Sequence, residues 1–205
     1  MSFFSAFDKF REAGEDVKDD ILEKFGTPAL SLFSSKELFN FKHHIDIEDN
    51  HQNTLYYADS KVFSFKDYTE VHNSEGKEIA QITRKIFSLH QRHFVNMSNG
   101  INFEISSELF HLVKNIINIE GLGWQLRGNF LSLRFELYDQ ADNIVAVISQ
   151  KFLSIHDKWC ADIYQKEHTD TIVTILITLQ HIVRDKENNS SSHNSSHSGN
   201  SGNFF

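Results

Sequence analysis

The apolar and polar positions of the chain fall into three zones, and the central one carries a clear period of two. Leu131, Leu133, Phe135 and Leu137 alternate with Ser132, Arg134 and Glu136. Side chains of a strand point to opposite faces in turn, so this pattern predicts a strand with one buried face. Ile101, Phe103 and Ile105 alternate in the same way. Turn signals recur between such stretches at intervals of roughly ten residues, among them Asn73 to Gly76, Ser98 to Gly100, Gly121 to Gly123 and Asp139 to Asn143. Many short strands joined by tight turns predict a sandwich or a barrel.

The two ends read differently. Phe3, Phe7, Phe10, Val17 and Ile21 recur at three- and four-residue steps, with Asp8, Glu12, Glu15 and Asp19 between them. That spacing predicts an amphipathic helix over residues 1–27, packed on its own domain or docked on a membrane or a protein partner. Acidic residues outnumber basic ones there, which weighs against an anionic lipid surface as the helix's target. Gly26, Pro28 and several serines mark residues 28–37 as a linker into a folded body at 38–185. Residues 186–205, an Asn/Ser/His tract, read as a disordered tail that buries too little apolar surface to order itself.

The body contains an internal repeat. Residues 71–95 align without a gap on residues 137–161, so that Ala80, Ile82, Lys85, Ser88 and His90 recur as Ala146, Ile148, Lys151, Ser154 and His156. A fainter copy matches Lys61, Phe63, Ser64, Ser74 and Gly76 with Lys85, Phe87, Ser88, Ser98 and Gly100. One such unit cannot bury its apolar face alone, so copies must pack together, and closure into a barrel removes exposed sheet edges.

These blocks resemble the LURP-one-related family of tubby-like domains. The stretches that carry the likeness are SKVFSFKDYTEVHNSEGKEIAQITRKIFSLH and GWQLRGNFLSLRFELYDQADNIVAVISQKF. The resemblance covers residues 38–184 and implies a mainly β fold: a closed antiparallel barrel of about twelve strands around a C-terminal apolar helix, shared with phospholipid scramblases. The closing segment, DTIVTILITLQHIVRDK, has β-branched residues that also suit a strand. As a helix it is apolar nearly all round, as expected only of a buried one. We therefore assign Ile172, Val173, Ile175, Leu176, Leu179 and Ile182 to a central helix. Thr174 and Thr178 are placed to bond back to carbonyls one turn earlier, and Thr169 or Asp170 to cap its start.

Composition narrows the function classes. A formal charge of -8 gives no general attraction to polyanions, so nucleic acid is not an expected partner. No run of about 18 apolar residues exists, so an integral membrane protein is not expected. The single cysteine, Cys160, cannot form an internal disulfide, and Asp8, Lys9 and Arg11 interrupt any secretory signal. A cytoplasmic protein, at most peripheral to a membrane, is the expectation.

Candidate chemistry is sparse. The chain has no nucleophile elbow, phosphate loop or metalloprotease helix. In HQRH, His90 and His93 lie three apart and so face opposite sides of a strand, with no third ligand at a fingerlike spacing. Neither an enzyme nor a cofactor is expected. Lys85 and Lys151 hold equivalent corners of the repeat, with Arg84, Arg92 and Lys158 close in sequence. Gathered at one rim, the five would hold a phosphoinositide or other phospholipid headgroup through charge-assisted hydrogen bonds. The alternative is a scramblase-like or scaffold protein whose end segments meet a protein partner.

Overall fold

The computed structural model describes residues 20–35, 44–63, 66–85, 92–106, 116–129, 133–153 and 156–193. Residues 20–25 form a helical turn, α1. Twelve strands follow: β1 (Leu30–Ser35), β2 (His44–Glu48), β3 (Thr54–Phe63), β4 (Lys66–Asn73), β5 (Glu78–Lys85), β6 (Arg92–Met97), β7 (Asn102–Ser106), β8 (Ile116–Ile119), β9 (Trp124–Asn129), β10 (Arg134–Tyr138), β11 (Ile144–Leu153) and β12 (His156–Ile163). A 3₁₀ turn, Lys166–His168, leads into a helix, α2 (Thr169–His193).

All twelve strands belong to one antiparallel sheet, in the order β7-β6-β5-β4-β3-β2-β1-β12-β11-β10-β9-β8. Its two ends meet through a bridge between Glu104 and Glu120, where the Glu104 N–H donates to the Glu120 carbonyl at 2.9 Å. The sheet therefore curls into a nearly closed barrel. Ile172, Val173, Ile175, Leu176, Leu179 and Ile182 are all fully buried, and residues 171–179 are buried without a break. A helix buried on every face must be surrounded, so α2 runs through the lumen.

The hydroxyls of Thr174 and Thr178 donate to the carbonyls of Asp170 and Thr174, both at 2.8 Å. This satisfies two polar groups that the apolar interior otherwise penalises. Neither of the two predicted caps is used. Thr169 donates back to the Lys166 carbonyl at 2.6 Å, and the Asp170 carboxylate accepts from the Tyr56 hydroxyl at 2.8 Å.

The repeat extends to register. Thr69 faces Ile82 and Arg84 faces His93 across their ladders; 66 positions on, Phe135 faces Ile148 and Gln150 faces Trp159. Even the irregularity recurs, between Val71 and His72 in one half and Leu137 and Tyr138 in the other. The turns match as well. Asp49, Asn73 and Asp139 each accept, through one side-chain oxygen, from the backbone N–H groups two and four residues on. The third residue after each is left-handed, namely Gln52, Gly76 and Asp142. Such Asx turns close short hairpins and set strand register.

All these turns lie at the end of the barrel where α2 begins, here the near rim. The connections at the opposite, far rim, where α2 emerges, fall almost entirely outside the described residues. No helix among the described residues is long and apolar enough to cross a membrane.

Three boundaries differ from the sequence reading. Leu30–Ser35, assigned to the linker at 28–37, is strand β1, paired along its whole length with β12. Residues 186–193, assigned to the tail, continue α2, and the remainder of that tail lies outside the described residues. Of the N-terminal helix only the last turn is described, and it sits on the barrel. Ile21 is buried, Lys24 Nζ lies 2.8 Å from Glu136, and the Phe25 and Tyr164 rings are 5.9 Å apart.

Truncating the plug opens a cavity, so Leu176→Ala is expected to cost about 2–5 kcal/mol in urea unfolding. At the seam, a Cβ on Gly121, whose φ is +97°, overlaps the Asn102 carbonyl oxygen, whereas one on Gly100, φ +88°, meets nothing within 4 Å. Both substitutions carry backbone strain, but Gly121→Ala is expected to lower the melting temperature well beyond Gly100→Ala.

Candidate functional site

The far rim of the first half carries polar residues on the inner wall. Along β5, Ala80 and Ile82 face the lumen, and the period of two brings Arg84 to the same side. Along β6 the inward positions are His93, Val95 and Met97, all buried. Ser60 on β3 and Thr69 on β4 complete the wall, their hydroxyls 2.8 Å apart.

The last turns of α2 supply the opposite side. His181 and Asp185 are four residues apart and so share one helix face, which turns toward β5 and β6. Arg84 Nη1 donates to Asp185 Oδ2 at 2.7 Å, with side chains 27% and 9% exposed. The ion pair ties the helix to the wall across 101 residues of sequence. The residues enclose a small cleft that also touches Lys61, Tyr68 and Arg184. Its mouth is cationic: Lys61 and Arg184 are both exposed. Lys61 in turn is engaged by Glu70 at 2.9 Å and lies 5.5 Å from the centre of the Tyr68 ring.

His93 is the unusual member. It has no exposed surface, and neither ring nitrogen has a hydrogen-bond partner among the described residues. Burial pushes its pKa down to about 4, helped by the Arg84 charge and opposed by that of Asp185. It is therefore neutral at physiological pH.

The repeat shows how one-sided this arrangement is. Thr69, Arg84 and His93 of the first half correspond in register to Phe135, Gln150 and Trp159 of the second. The second half fills the space with aromatic rings. The first keeps a charge, an imidazole and a hydroxyl.

The predicted headgroup residues are not brought into one cluster. Lys85 faces Arg92 across β5 and β6, and Lys151 faces Lys158 across β11 and β12. The two hairpins sit halfway round the strand order from each other. Strand direction puts both pairs at the far rim, on opposite sides of it. Arg84 points inward instead and is paired with Asp185. Arg92 is exposed and within 3.1 Å of Glu104, while Lys158 is half-buried. Elsewhere, Cys160 is buried, its Sγ 3.6 Å from Asp162 Oδ1. His44 heads β2 on the outside and lies 2.6 Å from Asp59, whose hydrogen bond raises its pKa. His90 lies outside the described residues.

Sequence reasoning passed over His181, Arg184 and Asp185, and weighed His93 only as half of a metal pair with His90. A signal for His93 existed, since it shares the period of two with Val95 and Met97.

The sequence model of the family described as LURP-one-related matches residues 30–180. No curated protein matches the chain. Among solved structures, the X-ray structure of an Arabidopsis thaliana protein aligns with a TM-score of 0.45 at 14% identity, over 77% of this chain and 95% of that one.

Removing Arg84 strands a buried carboxylate. Arg84→Ala is therefore expected to cost about 3–5 kcal/mol, with much of the loss recovered when Asp185→Asn is added, in a double-mutant cycle by urea titration. His93 adds a pH dependence. The fold holds it neutral down to about pH 4, whereas an unfolded imidazole binds its proton near pH 6.5. The unfolded chain thus takes up more protons in that window, and stability falls as the pH drops from about 6.5 toward 4. Between pH 7 and about 4.5, His93→Phe is expected to lose roughly 2–3 kcal/mol less stability than the parent.

Proposed function

The chain belongs to the LURP-one-related family, and from that premise we propose that it is a non-catalytic binding module whose far rim holds an anionic phospholipid headgroup of the phosphoinositide kind. The observation that carries this reading is the pair of opposed cations in each half. Lys85 stands directly across from Arg92, and Lys151 from Lys158. Like charges placed opposite each other in a ladder weaken a sheet. Glu104 offsets Arg92 in the first half, but the recurrence of a like-charged pairing at the same register in both halves favours a purpose outside stability, and an anion lying on the rim neutralises it.

The acidic balance of the whole chain makes local placement matter. With a formal charge of -8, the protein approaches an anionic surface only through a region where cations are gathered. Two cationic hairpins on opposite sides of one rim give a broad footing. The protein works in this reading as a peripheral module in a reducing compartment, touching the membrane by its rim. The period-two barrel and lumen helix serve as a rigid mount.

Each lysine or arginine near an anionic surface contributes about 1 kcal/mol of attraction, so Lys85→Glu with Lys151→Glu is expected to weaken sedimentation with phosphoinositide vesicles by at least about thirtyfold. Relief of the cross-strand repulsion leaves the melting temperature unchanged or higher. Equal pelleting of variant and parent would sink the headgroup reading.

A further inference from the structure

We propose that the cleft at the far rim is a binding site for a single phosphoryl oxyanion, held between the guanidinium groups of Arg84 and Arg184 and the imidazole of His93. This site shares the β5–β6 hairpin but uses none of Lys85, Arg92, Lys151 and Lys158, and it stands or falls without them.

Three observations converge. First, His93 is fully buried with both ring nitrogens unmatched among the described residues. Nearly all buried polar groups have a partner, so an orphaned imidazole marks a place where a partner is supplied from elsewhere. Second, the twin of His93 is Trp159, which is also buried. The same barrel position is thus served by an apolar ring that leaves a single N–H to satisfy, and stability alone does not select the histidine. Third, charge favours an anion. Arg84, Arg184 and Lys61 face the cleft against Asp185, with Glu70 bonded to Lys61. Asp185 Oδ2 is already engaged by Arg84, which leaves Arg184 without an ion pair among the described residues. A neutral His93 donates through one nitrogen to an oxyanion, as each guanidinium does.

Size sets the ligand. The space in the cleft is about 30 Å³, enough for roughly two water-sized groups. Two oxygens of a phosphoryl group fit inside, and the rest of the ligand lies in the open mouth between Lys61 and Arg184. A cation is disfavoured by the two arginines. The imidazole and carboxylate atoms here also do not converge; among the described residues that convergence occurs on the outer face, at Glu70, His72 and Glu78.

The shared chemistry admits a soluble phosphate or a phosphorylated lipid headgroup, and one experiment separates them. Inorganic phosphate is titrated into the full chain at constant ionic strength while the histidine Cε1–H resonances are followed by NMR, with His93 assigned through His93→Gln. The expected result is a saturable shift of the His93 signal at millimolar phosphate or below. Arg184→Gln, an exposed substitution that leaves the fold intact, is expected to weaken it about tenfold. Phosphatidylcholine vesicles with and without a phosphatidylinositol phosphate are then added. Release of phosphate by the phosphorylated vesicles assigns the site to a headgroup, and retention assigns it to a soluble ligand. Absence of a saturable His93 shift, or one that Arg184→Gln leaves unchanged, overturns the proposal. Because Lys85→Glu and Lys151→Glu leave the cleft residues in place, loss of vesicle binding in that variant with phosphate binding retained separates the two sites.

Discussion

The enclosure of α2 by the sheet is the constraint on which the rest of the structure depends. From residue 171 to 179 every side chain of the helix is buried. Fully burying a large aliphatic side chain gains about 1.5–3 kcal/mol, and no flat sheet can cover all sides of one helix. A barrel can. Closure also disposes of the edge strands, which otherwise offer unpaired backbone groups to other chains. The seam at Glu104 and Glu120, with Gly121 pressed against the Asn102 carbonyl, completes that closure.

Duplication supplies the wall economically and then departs from itself. The blocks β4–β6 and β10–β12 share register, bulge and turn chemistry, so that part of the interior is doubly specified. The departure is local, at the far rim of the first half, where Thr69, Arg84 and His93 replace the larger or neutral residues of their twins. Polar groups inside a protein cost stability unless they are matched. Arg84 is matched by Asp185 and thereby fixes where α2 emerges. His93 is not matched within the described residues. Structure and chemistry therefore point to the same end of the barrel, which also carries the opposed cations of both hairpins.

Much of the fold was legible because its causes are local. Alternation around Phe135 and Leu137, turn residues at Asn73 and Asp139, and the continuous apolar face of Ile172 to Leu179 each state a local preference that the tertiary structure satisfies. The misjudged boundaries have local causes too. Leu30 and Leu32 alternate as a strand does, but the neighbouring Gly26, Pro28 and serines hid it. Residues 186–193 are poor in apolar side chains, yet a helix already nucleated and clamped in a lumen propagates cheaply through them.

The cleft was much less legible, since it is made across distance. Arg84 and Asp185 are 101 residues apart, and nothing in either segment names the other. The alternation of Ala80, Ile82 and Arg84 does place the arginine inward. Reading all five basic residues as one surface cluster overlooked this. His93 was weighed in HQRH only beside His90, and its step to Val95 and Met97, which marks an inward side chain, went unused.

Native-state hydrogen exchange of the backbone amides in residues 172–179 tests the central claim most directly. If the helix is shut inside the barrel, those amides exchange only through global unfolding, with the same opening free energy as the amides of β5 and β11. Exchange of the helix at a distinctly lower free energy than these strands, with the sheet still protected, would show that α2 leaves the lumen independently and would contradict the account.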